Sequence, residues 1–170
     1  MTELVVTRGL PGCGKSTWAK AWVAKDVAHR ARVERDQLRA MMHDSVWKGQ
    51  DTENQIRLVQ EQAIISLLRS GVSVVVSDTN LIPHVFDSLK NLAQAEGVTL
   101  VVKDFRNVPL ETVLKQNAQR TGKEFIPEDV IQKMYDKHIK HLPKPKVHRP
   151  DFSKMTKRER FEYRYPDFEG

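Results

Sequence analysis

The chain alternates short, nearly continuous apolar runs with longer stretches whose apolar residues recur at helical spacing. Glu3-Leu4-Val5-Val6-Thr7 is apolar and β-branched and predicts a strand that ends in a glycine-rich loop. Lys15 to Lys25 then carries Trp18, Ala19, Trp22 and Val23 on one side, the spacing of a helix. Ala31 to Glu34 predicts a short second strand, and Asp36 to Trp47 a helix through Leu38, Met41 and Met42. Thr52 to Arg69 predicts a long helix with Ile56, Val59, Ala63, Ile64 and Leu67 as its buried stripe, stopped by Gly71. Val72 to Ser77 and Val98 to Phe105 are continuous apolar runs, expected as central parallel strands buried on both faces. Pro83 opens a helix to Ala95 between them. Pro109 to Arg120 predicts a further helix, Thr121-Gly122-Lys123 a break, and Pro127 to His141 a last helix. The alternation implies an α/β fold in which a central parallel sheet is flanked by helices through right-handed crossovers.

Beyond Leu142 the periodicity fails. Pro143, Pro145 and Pro150 interrupt a polar stretch that ends with Phe161, Tyr163, Tyr165 and Phe168. The expected organisation is one domain over 1–142 and a basic, aromatic extension over 143–170. That extension either packs on the domain or follows a nucleic-acid strand, and packing is favoured because its aromatic rings need cover.

Composition narrows the class. The 170 residues suit one compact domain with a real core. The longest apolar runs are far too short for a bilayer span, and Met1 leads almost at once into a strand rather than a signal sequence, so a cytoplasmic protein with no membrane partner is expected. The single cysteine, Cys13, excludes an internal disulfide and a thiolate metal cluster. Net charge is +6, and Lys144 to Arg164 holds eight Lys/Arg against three Asp/Glu, so that +5 of the +6 lies there. Such a surface attracts polyanions without specifying any chemistry.

The chemistry enters with Gly9-Leu10-Pro11-Gly12-Cys13-Gly14-Lys15-Ser16, a G-x-x-x-x-G-K-[ST] pattern between a predicted strand and a predicted helix. Glycines let the loop curl so that successive N–H groups face phosphate oxygens, and the helix start adds its positive dipole end. Lys15 is expected on the β- and γ-phosphates of ATP, and Ser16 as the hydroxyl ligand of Mg²⁺. The donor-binding set is Gly12, Cys13, Gly14, Lys15, Ser16 and Thr17, with Cys13 acting through its backbone rather than as a thiol.

Two acidic positions follow the later strands. Asp36, after the second strand, would face the cleft beside the γ-phosphate and could accept a proton from an acceptor hydroxyl, with Arg39 one helical turn on to grip an acceptor phosphate. The plainer alternative is an Asp N-cap with a surface Asp/Arg pair. Asp78 closes the Val74-Val75-Val76 strand, where P-loop enzymes commonly hold a carboxylate that organises Mg²⁺. Gln116 to Lys123 joins a helix end to a glycine break and suits a mobile helical lid that carries Arg120 over the phosphates.

Four blocks in order resemble the kinase half of the bacteriophage polynucleotide kinase-phosphatase family: GLPGCGKSTWAK at 9–20, ERDQLR at 34–39, VVSDTNLIP at 75–83 and LKQNAQRTGKEFIPEDVIQKMY at 114–135. The resemblance implies a P-loop NTPase fold and transfer of the γ-phosphate of ATP, with Mg²⁺, to 5′-OH ends of DNA or RNA. By position it implies Lys15, Asp36 as general base and Arg120 in catalysis, and Ser16 on the metal. Arg39 would hold the phosphate on the acceptor's 3′ side, with Asp78 supporting that arginine and Thr79 beside it. Gln116 stands where the family has a further arginine, so lid contacts could come from Lys115 or Lys123. No D-x-D-G-T phosphatase segment is present in these residues. The rival readings are a kinase of a small metabolite, an antibiotic or a sugar nucleotide, and a switch-type nucleotide binder, which the absence of an N-K-x-D motif disfavours.

Overall fold

The computed structural model describes residues 2–44, 47–143 and 156. Four strands, β1 Glu3–Arg8, β2 Arg30–Val33, β3 Ser73–Val76 and β4 Thr99–Asp104, form one parallel sheet in the order β2-β3-β1-β4. Six α-helices accompany them: α1 Lys15–Ala24, α2 Arg35–His43, α3 Gln50–Arg69, α4 Pro83–Ala95, α5 Leu110–Ala118 and α6 Glu128–His138. A 3₁₀ turn, Gly122–Glu124, lies between the last two. This is the expected α/β fold, a parallel sheet flanked by helices. The extension expected over 143–170 lies outside the described residues, apart from 143 and 156.

Alternation along the strands divides the core. Leu4, Val6, Val74 and Val76 face α3 and α4, where Ile64, Leu68, Leu89 and Ala93 meet them. Val5 and Val75 face the opposite way, against Ala19, Trp18 and Trp22 of α1. Each such aliphatic side chain contributes about 1.5–3 kcal/mol by leaving water. A third cluster, Leu10, Cys13, Leu81, Val113, Ile131 and Ile139, ties the glycine-rich loop to α5 and α6.

Three details depart from expectation. β4 is at the sheet edge rather than central: among the described residues it pairs only with β1, and Val102 is 42% exposed. Nor is it buried on both faces: Leu100, toward α4, and Val101, toward α1, are half-buried, and the other four residues of the strand are exposed. α2 stops at His43 rather than Trp47, because Asp44 turns left-handed at φ 47° and returns its N–H to the Ala40 carbonyl. On α3 the buried line is Ile56, Gln60, Ile64 and Leu68, so a glutamine sits where only apolar residues are expected.

Candidate active site

The carboxyl ends of β1, β2 and β3 converge on one edge of the sheet, as open parallel sheets arrange their ligand crevice. After β1 the chain turns through the glycine-rich loop into α1, with Gly12 and Gly14 at φ 88° and 94°. At Gly12 a Cβ would meet the Val113 carbonyl oxygen at 3.0 Å and Asn117 Cβ at 3.4 Å, so α5 leaves no room for a side chain. Lys15 is buried and its Nζ donates to the Leu10 carbonyl at 2.7 Å, with Cys13 Sγ 3.6 Å away. Burial pushes the Lys15 ammonium below its ordinary value; Cys13 and Glu34 act against this and the charge of Arg120 adds to it. A desolvated cation short of counter-charge favours an anion beside it. Cys13 itself packs in the apolar cluster, and its N–H donates to Leu10. Thr17 is exposed on the first turn of α1.

Ser16 stands next to a residue that the motif does not name. Its Oγ is 3.5 Å from Glu34 Oε1, while Glu34 Oε2 accepts from Ser77 Oγ at 3.0 Å and from Arg32. Burial raises the Glu34 carboxyl, against the pull of Arg32. Hydroxyl and carboxylate oxygens are the donors a hard cation such as Mg²⁺ takes. Among the described residues no cluster of three or more His, Cys, Asp or Glu could hold a metal alone. The Ser16 hydroxyl and the Glu34 carboxylate side by side fit an ion whose remaining positions nucleotide phosphates and water would fill.

Across the crevice, α2 begins at Arg35, and its N-cap residue Glu34 makes no side-chain capping bond. Asp78 supplies the cap from β3: its Oδ1 accepts the Arg35 N–H at 3.0 Å, and its Oδ2 accepts from Gln60 Nε2 at 2.6 Å and lies 3.3 Å from Arg35 Nε. Asp36 is thus the second residue of α2 and caps nothing; its side chain is 76% exposed and pairs with Arg39. Arg39 is only 15% exposed and is gripped by both oxygens of Glu53 on α3. That bond raises the Arg39 guanidinium and lowers the Glu53 carboxyl. Asp78 acts on Arg39 through charge, while the direct partners are Glu53 and Asp36. The Asp78–Asn80 turn is stapled to β1: Gly9 N–H donates to the Thr79 carbonyl at 3.0 Å and Asn80 Nδ2 to the Thr7 carbonyl at 2.9 Å.

Over the loop, Asn117 is fully buried and holds Ile126 from both sides, donating to its carbonyl at 2.7 Å and accepting its N–H at 3.2 Å. This closes the 118–126 segment into a loop that carries Arg120, whose Nη1 donates to the Glu124 carbonyl. Lys115 pairs with Glu111 on the exposed face of α5, and the Lys123 side chain lies outside the described set. Sequence patterns singled out Lys15, Ser16, Asp36, Arg39, Asp78 and Arg120. They gave no role to Glu34, Asn80 and Asn117, although these stand inside the family blocks, and did not single out Glu53 or Gln60 at all.

A parallel sheet with a glycine-rich loop of the G-x-x-x-x-G-K-[ST] pattern at the end of its first strand, a buried lysine in that loop and α5 and α6 packed against it is the architecture of a P-loop kinase domain. The chain belongs to the AAA domain family, whose profile matches residues 4–145. A protein of Autographa californica nuclear polyhedrosis virus assigned as a bifunctional polynucleotide kinase/RNA ligase is 30% identical over 81% of this chain and 21% of its own. The L-seryl-tRNA(Sec) kinase of Methanococcus maripaludis is 34% identical over 79% of this chain and 51% of its own. The chain therefore spans between about a fifth and about half of these relatives. Among solved structures, a chain of the Pnkp1/Rnl/Hen1 RNA repair complex superposes with a TM-score of 0.69 at 26% identity, covering 79% of this chain and 43% of that one. The Mycobacterium tuberculosis APS kinase CysC, at 14% identity and a TM-score of 0.56 over 69% of each chain, shares the fold.

Proposed function

We propose that this protein is an ATP- and Mg²⁺-dependent kinase that transfers the γ-phosphoryl group to the 5′-hydroxyl end of a DNA or RNA strand, in nucleic-acid end repair within the cytoplasm. The observation that supports the reading is the Asp36/Arg39 pair on the first turns of α2, directly after β2, with Arg39 anchored by Glu53 and the start of α2 held by Asp78. Asp36 accepts the proton of the acceptor hydroxyl, whose oxygen attacks the γ-phosphorus as ADP leaves. Arg39 holds the phosphate on the acceptor's 3′ side, and Asp78 and Thr79 shape that pocket. Lys15, the loop amides of Gly12 to Thr17 and Arg120 hold the donor phosphates. Mg²⁺ at Ser16 supplies charge neutralisation on the donor oxygens. The relatives named for polynucleotide kinase and RNA repair support a nucleic-acid acceptor.

The tRNA kinase relative supports a second reading, in which the acceptor is a hydroxyl presented on an RNA rather than its 5′ end. Incubation with labelled ATP, Mg²⁺ and a 5′-OH oligonucleotide tests the first: label at the 5′ end is expected, and folded protein that transfers none contradicts it. A charged strand also predicts a KM that rises steeply with salt, whereas a neutral metabolite predicts little change.

A further inference from the structure

The relation between Ser16 and Glu34 goes beyond the loop motif. Glu34 follows β2 with extended backbone angles, φ −144° and ψ 131°, at a position where a short polar side chain would ordinarily cap α2. It makes no capping bond, and the N–H of Arg35, the first residue of the helix, goes instead to Asp78. The Glu34 side chain, 11% exposed, instead reaches toward the phosphate loop. One of its oxygens is spoken for, accepting from Ser77 and Arg32. Among the described residues, the other meets the Ser16 hydroxyl alone, at a loose 3.5 Å.

We infer that Glu34 is the carboxylate that holds the hydration shell of the nucleotide-bound Mg²⁺ at Ser16, with Ser77 and Arg32 as the groups that aim it. This rests on the reading of the loop as an ATP and Mg²⁺ site. Mg²⁺ loses its waters reluctantly and is usually bound by one or two protein oxygens plus phosphates. A second protein oxygen beside the hydroxyl ligand orients those waters. Asp78, at the strand end where such a carboxylate is commonly found, is not available for it. Its Oδ1 is taken by the Arg35 N–H and its Oδ2 by Gln60 and the Arg35 side chain. Glu34 is the acidic side chain next to Ser16 with an oxygen still open to the site, and Arg32 holds that carboxylate in place.

The test titrates Mn²⁺ into the full chain saturated with ADP and reads free Mn²⁺ by electron paramagnetic resonance, with metal-free ADP affinity measured separately. Glu34→Gln preserves shape and is expected to leave ADP binding in EDTA unchanged while weakening Mn²⁺ affinity about tenfold or more, the scale of losing a group that orients a metal's ligands. Ser77→Ala, which frees Glu34 without removing it, is expected to shift in the same direction by less, and it decides the matter if the first variant misfolds. Unchanged Mn²⁺ affinity in both variants, even with lowered melting temperature, overturns the assignment and leaves Glu34 a structural role. Wild-type protein that binds no ADP, or binds it without affinity for Mn²⁺, overturns the nucleotide reading of the loop itself, a distinguishable failure.

Discussion

Asp78, two residues past the end of β3, accepts, over 3.0 Å, the backbone N–H of Arg35, the first residue of α2. A helix begins with N–H groups that have no partner inside it, and here one is satisfied by a neighbouring strand. The next residue is Asp36, so its position depends on β3 as well as on β2.

Asp78→Ala removes the cap and leaves the buried Gln60 amide unpaired. Losing a cap costs about 0.5–2 kcal/mol and stranding a buried donor about 1–3, so a loss of about 2–3 kcal/mol is expected in urea unfolding. Phosphoryl-transfer turnover is expected to fall further than ATP affinity. A variant within about 0.5 kcal/mol of wild type would show that α2 is held by other contacts.

Gly12 and Gly14 make a paired comparison. Both have positive φ, yet a Cβ at Gly12 meets α5 backbone at 3.0 Å, whereas at Gly14 nothing lies within 4 Å. Gly14→Ala therefore carries backbone strain of order 1–2 kcal/mol, while Gly12→Ala adds a collision that pushes α5 from the loop. Calorimetry with ADP should show weakened binding for the first and none measurable for the second; equal losses would mean that α5 gives way freely.

Asn117 clamps both backbone groups of Ile126. Asn117→Ala strands them beneath the segment that carries Arg120. The expected result is faster proteolysis between 119 and 126, with ATP affinity reduced and the sheet's unfolding midpoint little altered. Unchanged cleavage would show the segment to be held elsewhere.

Some of this was readable before any coordinates. The phosphate loop is local: eight consecutive residues specify its curl and the helix start, so pattern alone locates Lys15 and Ser16. Asp36 and Arg39 are three apart on one helix, a spacing that also shows in sequence. Glu53 is fourteen residues beyond Arg39 on the next helix, and no local pattern joins them. Gln60 looks like an interruption of an apolar stripe until Asp78 is seen across it. The Val98 run looks central because Leu100, Val101 and Val102 are consecutive and apolar, while strand order and burial depend on pairing distant in sequence.

The Glu53–Arg39 pair gives a pH prediction. Its bond to Arg39 holds the Glu53 carboxyl below its ordinary value. The pair's stabilisation is thus complete above the unfolded-state pKa of about 4.3 and is lost as pH falls through the lower folded-state value. Partial exposure and screening hold it to about 1 kcal/mol. Glu53→Gln should be less stable than wild type at pH 7 by that amount, with the gap closing below roughly pH 4. A gap that persists in acid would assign the loss to packing.

The central claim is that Asp36 takes the acceptor's proton in transfer to a 5′-hydroxyl. Its most direct test compares wild type and Asp36→Ala in label transfer from ATP to a 5′-OH oligonucleotide, with ATP affinity measured in parallel. Wild type is expected to label the end, and the variant to lose at least about 10²-fold in turnover while binding ATP as before. Folded wild type that labels no end, or a variant that works at the wild-type rate, would contradict the account.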